Sequence, residues 1–284
     1  MVELTTLNLF GNRIQDIEPI RNLSSLTHLT LSNNQISDIG PLVDKSDMKF
    51  LYLSKNKITD IAPLAGFKKL KILHLNDNQI DDITSLSNLM NLDILWLGNN
   101  PIADISPLEN LSRLMSLQLS QTPISDLAPL VGLTSLSHLS LIGNEINDLE
   151  SLVQPLTNLN SLKSLTMNRC QITDITPLKA LKQLTRLGLS TNEISDITPL
   201  AELSRLEYLD LSSNLISDIV PLKALSQLTT LNLRQNQITD INVLASLPNL
   251  KSVDLQKNRI YDIKQIQELV VQHPNLDLSV DTFR

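Results

Sequence analysis

A 22-residue repeat constrains the fold of this chain more than any other feature of its sequence. Twelve copies share the frame L-x-x-L-x-L-x-x-N-x-I-x-D-I-x-P-L-x-x-L-x-x, and the second copy, residues 26–47, reads LTHLTLSNNQISDIGPLVDKSD. The spacing is 22 residues throughout, except that 26 residues separate Asn144 from its equivalent, Cys170. One copy cannot bury its own leucines, so the copies must stack into a solenoid with a shared core.

The positions of the repeat, numbered 1 to 22 from the first leucine, predict its local structure. Positions 4 and 6 lie two residues apart on an extended segment and point into the core, whereas positions 3, 5 and 7 point to solvent. The asparagine at position 9 can satisfy backbone groups of neighbouring turns. Aspartate at position 13 and proline at position 16 favour an N-capped helical or 3₁₀ turn. We predict an α/β solenoid, a right-handed leucine-rich repeat horseshoe with a parallel concave β-sheet and short 3₁₀, helical or extended convex segments.

The repeats predict the organisation of the whole chain. Residues 1–264 form the twelve-repeat solenoid, and the four extra residues in the 149–161 region are expected as a tolerated insertion on the convex side. Residues 265–284 are predicted to be a C-terminal capping helix and strand, because the helical pattern that starts near Lys264 ends at Pro274. We expect a monomer. The exception would be pairing at the N-terminal edge with a partner or a second copy, because no helix before the first strand covers that edge.

The frame, and above all its NxIxDIxPL core, resembles the leucine-rich repeat of the bacterial internalin family over residues 2–264. It is similar more distantly to the leucine-rich regulatory subunits of protein phosphatase 1, whose repeats lack the regular proline. For an internalin-like fragment the resemblance implies a secreted or cell-surface protein. A complete chain is instead expected to be cytoplasmic, because the start MVELTTLNLF has no basic leader and no stretch approaches about 20 apolar residues.

The outward positions carry the residues that the scaffold does not require. Only 3% of the residues are aromatic, yet five of the eight aromatic side chains fall at positions 3, 5 or 7. We define the aromatic patch as a run of aromatic and aliphatic side chains on neighbouring strands: His28, Phe50, Tyr52, Ile72, His74, Ile94 and Trp96. Its composition is typical of an interaction hot spot. The alternative is that these are cross-strand pairs that stiffen the sheet.

A second candidate for partner binding lies in the C-terminal half, where the outward positions become small and polar. We define the charged patch as the four polar or charged side chains that stand out there: Arg186, Tyr208, Asp210 and Arg234. Such residues are more often solvated than engaged in binding.

The sequence gives little support for catalysis, metal binding or nucleic-acid binding. His28 and His138 are five strands apart, His74 has no cysteine or carboxylate at neighbouring outward positions, and Cys170 occupies the asparagine position of the repeat. No phosphate-binding glycine loop is present. Twelve of the 30 acidic residues are position-13 aspartates, so the net charge of −7 largely reflects the scaffold, and the basic residues are scattered over several repeats. We expect no enzyme, no cofactor, no metal, no nucleic-acid partner and no membrane insertion.

These observations predict a non-enzymatic protein–protein recognition module that binds a protein partner on its concave face, mainly through the aromatic patch. The leading alternative is a regulatory subunit that binds and modulates an enzyme such as a phosphatase. A purely architectural spacer is the third possibility.

Overall fold

The computed structural model describes residues 3–146 and 153–281. The chain divides into two compact units, a first unit at Met1–Ser140 and a second at Leu141–Arg284. In each unit one three-residue strand per repeat pairs in parallel with the strand of the next repeat. The strands of the first unit are Thr6–Asn8 (β1), His28–Thr30 (β2), Phe50–Tyr52 (β3), Ile72–His74 (β4), Ile94–Trp96 (β5), Ser116–Gln118 (β6) and His138–Ser140 (β7). Those of the second unit are Ser164–Thr166 (β8), Arg186–Gly188 (β9), Tyr208–Asp210 (β10), Thr230–Asn232 (β11), Ser252–Asp254 (β12) and Asp277–Ser279 (β13).

Strand pairing joins equivalent positions of successive repeats. Each strand covers positions 3 to 5 of its repeat, and Phe50 pairs with Ile72 while Tyr52 pairs with His74. The leucines at positions 4 and 6, such as Leu51 and Leu53 in β3, are fully buried, as the alternation predicts. The predicted leucine-rich repeat fold is confirmed, and residues at position 3 or 5 of successive repeats therefore form columns across the strands of each unit.

The core consists almost entirely of the leucines and isoleucines of the frame. One exception is position 20 of the second repeat, where Lys45 replaces leucine and is only 1% exposed. Its Nζ donates hydrogen bonds to the carbonyl oxygens of Arg21, at 3.0 Å, and Leu23, at 3.1 Å. Burial lowers the pKa of the Lys45 ammonium. Phe67, the equivalent residue of the third repeat, is a fully buried aromatic.

The position-9 asparagines connect neighbouring turns. Asn34 Nδ2 donates to the carbonyl oxygens of Leu9, at 3.0 Å, and Leu31, at 2.9 Å, while its Oδ1 accepts from the backbone N–H of Ile14 at 3.0 Å. Asn78 and Asn100 are buried, so their amides satisfy backbone groups that water does not reach, whereas Asn12 in the first repeat is exposed. In the second unit, Cys170 occupies this position and donates from Sγ to the Leu141 carbonyl oxygen at 3.2 Å.

The turn after each strand uses a left-handed backbone conformation at position 8. Residues there include Asn33, with φ 59°, and Thr191, with φ 57°, whereas Gly11 and Gly143 have φ 72° and 71°. Asparagine and glycine adopt this conformation at little cost, but the β-branched Thr191 is strained in it. The position-9 hydrogen bonds hold this turn in the same form in repeats of different sequence.

Short 3₁₀ segments return the chain to the next strand. In the first unit they are Glu18–Ile20, Gly40–Leu42, Ala62–Gly66, Thr84–Leu86, Ser106–Leu108 and Ala128–Gly132. In the second unit they are Thr176–Ala180, Thr198–Glu202, Val220–Ala224 and Asn242–Ser246. In the first of these segments, the position-13 aspartate, Asp16, lies one residue before the N-cap, which is Ile17. Its Oδ1 accepts a hydrogen bond from the Glu18 N–H at 2.7 Å. The aspartate thus forms an Asx-type turn that starts the segment.

Two α-helices interrupt the regular pattern, both in the second unit. Helix α1, Val153–Asn158, lies in the region with the four extra residues, and the earlier part of that insertion, 149–152, lies outside the described residues. Helix α2, Ile263–Gln272, is N-capped by Asp262, and β13 follows it and pairs in parallel with β12. No helix in the described part of the chain is both long and apolar enough to cross a membrane.

Candidate functional site

All seven residues of the aromatic patch lie on four successive strands of the first unit, β2 to β5. Position 3 contributes one column, which reads His28, Phe50, Ile72 and Ile94. Position 5 contributes the neighbouring column, which reads Tyr52, His74 and Trp96. The structure therefore brings together, on one exposed sheet face, every residue that the sequence assigns to this patch.

Within both columns the rings contact one another across the strands. His74 and Trp96 are stacked, with ring centroids 3.8 Å apart and planes 9° from parallel. Tyr52 meets His74 edge to face, at 4.9 Å and 88°, and His28 lies 4.4 Å from Phe50. Parallel strands are about 4.8 Å apart, so equivalent positions bring rings into contact without any change of backbone. The cross-strand pairs that formed the alternative interpretation are therefore present.

These contacts cover only part of each ring. His28 and Trp96 are exposed, the latter by 38%, while Phe50, Tyr52, Ile72, His74 and Ile94 are half-buried. The side chains point outward, as the alternation predicts, but their contacts with one another leave most of them half-buried. What remains is a continuous surface of ring edges and aliphatic groups.

His74 lies between two aromatic neighbours, which affects its charge. Burial beneath these rings lowers its pKa to about 4. The imidazole is therefore neutral near pH 7, and the position-5 column carries no positive charge of its own there.

Exposed lysines at both ends of the strands adjoin this patch, and the sequence interpretation treated them as scattered. Lys49 and Lys71 precede β3 and β4, and the Lys71 N–H donates to the Lys49 carbonyl oxygen at 2.8 Å, so the two residues are direct neighbours. Lys55 and Lys57 follow β3 in the same repeat. The signal was visible in the sequence as a high density of lysine in the third repeat.

The charged patch of the second unit is organised differently, because its charged groups already have partners within the unit. The Arg186 guanidinium lies 4.4 Å above the Tyr208 ring, and Arg234 lies 3.8 Å from the Asp254 carboxylate. Asp210 accepts from the Ser212 N–H and hydroxyl. Burial and the adjacent Asp210 raise the pKa of Tyr208, an effect that Arg186 partly opposes.

The structure also locates the groups that could support chemistry. Among residues 3–146 and 153–281, no three or more histidine, cysteine, aspartate or glutamate side chains are grouped to hold a metal ion. The Cys170 thiol is buried, and burial raises its pKa. A buried thiol with a raised pKa is a poor nucleophile, so its packing in the position-9 column is its evident contribution.

Comparison with known proteins places this geometry in a family. A model for leucine-rich repeats in two copies matches residues 2–44, 47–88, 70–110, 160–202, 182–224, 204–246 and 226–271. No curated protein sequence matches the chain.

Solved structures give closer similarities. An internalin, InlF, of Listeria monocytogenes is 38% identical, with a TM-score of 0.88, over 98% of this chain and 80% of its own. Internalin C2 of the same species is 37% identical, with a TM-score of 0.61, over 69% of this chain and 83% of its own. The Leptospira interrogans leucine-rich repeat protein LIC12759, 22% identical over 97% of this chain and 84% of its own with a TM-score of 0.69, shows only the shared fold.

Leucine-rich repeat domains generally serve as protein–protein interaction modules, and internalins are typically non-enzymatic binding proteins. The matches to internalins also imply a bacterial origin. With the repeat frame, the parallel strand ladder and this level of identity over nearly its whole length, the chain belongs to the internalin family of leucine-rich repeat proteins.

Proposed function

We propose that the chain is a protein-recognition module whose partner contacts the aromatic patch. This is the exposed sheet face that lines the concave side in leucine-rich repeat solenoids. The observation that carries the proposal is the continuous surface of seven aromatic and aliphatic side chains on strands β2 to β5. Partly exposed aromatic groups gathered in this way resemble the centre of an interface, where a few residues supply most of the binding free energy.

Strand pairing does not require these side chains. In the second unit, β8 presents Ser164 and Thr166 and β11 presents Thr230 and Asn232 at the same positions, yet both strands pair in the regular parallel register. The buried leucines and the position-9 asparagines are common to both units. The aromatic side chains of the first unit therefore need an explanation beyond the fold, and partner binding supplies one.

The test is affinity capture from extracts of the bacterium that produces the protein and of cells that this bacterium contacts. The unmodified chain and the double variant Tyr52→Ala/Trp96→Ala are compared as baits. Tyr261→Ala is the matched control, because Tyr261 is 82% exposed and lies outside the patch. We expect the unmodified chain and the control to retain the same protein and the double variant to lose it, with all three remaining folded. Equal capture by the double variant would overturn the proposal.

The same recovered protein separates a binding module from a regulatory subunit. If it is an enzyme, its turnover is measured with and without a saturating amount of the chain. A changed turnover identifies a regulatory subunit, and an unchanged turnover identifies a recognition module without that role.

A further inference from the structure

The distribution of lysines in the first unit suggests the chemistry of the partner. Residues 1–140 contain ten basic residues, and seven of them, all lysines, fall between residues 45 and 71 beside only two acidic residues, Asp47 and Asp60. The rest of the first unit has three basic and twelve acidic residues. The positive charge is thus concentrated in the repeat that carries Phe50 and Tyr52.

Five of these seven lysines are exposed and free of ion pairs. Lys45 is buried in the core, and Lys69 forms an ion pair with Asp47 at 2.5 Å. The remaining five define the lysine cluster: Lys49, Lys55, Lys57, Lys68 and Lys71. Within the described residues, none of the five has a carboxylate oxygen within 4.0 Å of its ammonium.

Four of the five lysines flank strands of the aromatic patch along the chain, and Lys68 lies three residues before Lys71. Lys49 and Lys71 stand before the strands, and Lys55 and Lys57 stand after β3. The backbone between Lys49 and Lys55 spans at most about 20 Å at extended spacing. Apolar side chains in the middle with ammonium groups at both ends complement a segment that has apolar residues between acidic ones.

The repeat frame does not call for lysine at these positions. Position 2 carries Lys49 and Lys71 in two repeats, but Thr27, Asp93 and Met115 in others of the same unit. Lys49 and Lys71 lie side by side in the position-2 column, and like charges in neighbouring repeats repel one another. Asp93 follows Lys71 in the same column, but its carboxylate pairs with Arg113 at 3.6 Å. The arrangement is therefore better explained by a ligand than by the scaffold.

We propose that the aromatic patch and the lysine cluster together receive an extended acidic segment of a partner protein. Its apolar side chains lie on Phe50, Tyr52 and Trp96, and its carboxylates pair with lysines at the two ends of the strands. This inference rests on the proposed function and adds the chemical class of the partner segment to it.

Two observations favour a protein over a nucleic acid. Bases bind by stacking on open aromatic faces, but His74 is packed between two rings and itself covers one face of Trp96. The remainder of the first unit, with its excess of acidic residues, repels a phosphate backbone that extends beyond the cluster. A short acidic peptide segment avoids both difficulties.

The experiment is selection from a phage-displayed library of random 12-residue peptides on the immobilised full chain. We expect the selected peptides to combine aspartate or glutamate with aromatic or aliphatic residues. On Lys49→Glu/Lys71→Glu, we expect the acidic preference to disappear and basic residues to replace it. The matched control is Lys223→Glu/Lys251→Glu, which makes the same charge change at exposed lysines of the second unit and should retain the acidic preference.

A synthetic peptide from the selection then gives a quantitative measure. Its Kd is expected to weaken about tenfold in Lys49→Glu/Lys71→Glu and to weaken with added salt, whereas the control variant should match the unmodified chain. Circular dichroism and thermal melting confirm that each variant is folded.

The outcomes separate this inference from the proposed function. Peptides that depend on Tyr52 and Trp96 but show no acidic preference, or no response to charge reversal at Lys49 and Lys71, overturn the inference and leave the proposed function standing. Peptides selected equally well by Tyr52→Ala/Trp96→Ala count against both. A selection without enrichment, or tighter lysine-dependent binding of a fluorescein-labelled 15-nucleotide oligo(dT) than of the peptide, overturns the inference in favour of another ligand.

Discussion

The exposed sheet faces of the two units share the same repeat frame but differ in what their side chains present to solvent. In the first unit Tyr52, His74 and Trp96 contact one another and still leave an apolar surface. In the second unit Arg186 covers Tyr208, and Arg234 lies near Asp254, so charged groups are paired within the unit. A scaffold that aligns equivalent positions makes neighbouring side chains interact, and the residue types in a column decide whether it presents apolar surface or polar groups that are already paired.

The interiors of the two units differ as well. In the second unit, position 20 carries only leucine in the regular repeats: Leu181, Leu203, Leu225 and Leu247. In the first unit, the same column includes Lys45 and Phe67. The first unit therefore departs from the leucine core in its second and third repeats, and its outward aromatic patch extends from the second to the fifth repeat. Variants at these positions test whether the departures have the energetic consequences that the contacts indicate.

The largest effect is expected for His74→Ala, which removes the ring that connects Tyr52 and Trp96. Aromatic pairs contribute roughly 0.5–1.5 kcal/mol each beyond area burial, so losing two contacts should lower the free energy of unfolding by about 2 kcal/mol. Urea denaturation measures the change. His138→Ala is the control, because His138 is exposed on β7, its ring is hydrogen-bonded to the Ser137 hydroxyl, and among the described residues it has no aromatic ring contact. Equal losses of unfolding free energy in both variants would show that the contacts of His74 with Tyr52 and Trp96 do not stabilise the fold.

The second prediction concerns the buried lysine. Lys45→Met replaces a desolvated ammonium with an apolar group of similar length, but it also removes the hydrogen bonds to the Arg21 and Leu23 carbonyl oxygens. We therefore expect the free energy of unfolding at pH 7 to rise by about 1 kcal/mol, because the desolvation cost exceeds the loss of these bonds. Lys49→Met, at an exposed position of the same unit, should change it by no more than about 0.5 kcal/mol.

The pH dependence of that difference provides a further check. Burial lowers the folded-state pKa of Lys45, so between that value and the unfolded-state value of about 10.4 the unfolded chain binds more protons and the unmodified protein gains stability as pH rises. The advantage of Lys45→Met should therefore shrink from pH 7 to pH 10. An advantage that stays constant or grows would show that the ammonium is not desolvated.

The repeat frame predicts that the strand leucines at positions 4 and 6 are buried and which outward side chains share a column. Alternation at positions 3 to 6 places Leu51 inside and Tyr52 outside, and the 22-residue spacing aligns Tyr52 with His74. The predicted fold and the membership of the aromatic patch follow from these two rules. The rules do not include the contacts within a column, so the stacking of His74 on Trp96 and the resulting half-burial could not be derived from them.

Other features were missed because they depart from the average behaviour of a residue type. Lysine is almost never buried, so nothing at position 45 indicated that its ammonium would bind backbone carbonyl groups. The position-13 aspartate is the N-cap of α2 at Asp262, as the frame predicts, but at the 3₁₀ segments it lies one residue before the N-cap, which is a buried residue such as Ile17. The lysine cluster is not apparent from the basic residues of the whole chain, which are spread over many repeats. It becomes apparent only within the first unit, whose boundary the sequence does not indicate.

The third prediction uses the neutral state of His74. Its folded-state pKa of about 4 lies below the usual 6.5, so the unfolded chain binds more protons between these values and stability is lost as pH falls through that window. Relative to His74→Phe, which keeps an aromatic ring but cannot be protonated, the unmodified chain should lose about 1 kcal/mol between pH 7 and pH 4. The loss is smaller than a full conversion of the pKa shift because water screens the half-exposed ring.

Chemical denaturation at several pH values measures this difference. Arg186→Met serves as the comparison in the charged patch, because a guanidinium stays protonated throughout and its difference from the unmodified chain should not vary across that window. If the difference in unfolding free energy between His74→Phe and the unmodified chain is likewise independent of pH, the imidazole is well solvated.

The smallest effect should distinguish the two faces by their response to salt. A double-mutant cycle with Arg234→Gln and Asp254→Asn isolates the interaction of this partly exposed pair, which we expect to contribute about 0.3 kcal/mol at low salt and almost nothing in 1 M NaCl. The corresponding cycle for Tyr52 and His74, with both changed to alanine, should give a coupling energy that NaCl leaves unchanged or slightly increases, because the His74 imidazole is neutral at pH 7. A salt-sensitive coupling between Tyr52 and His74 would mean that the imidazole is protonated in the folded state, and it would remove the main physical difference between the two faces.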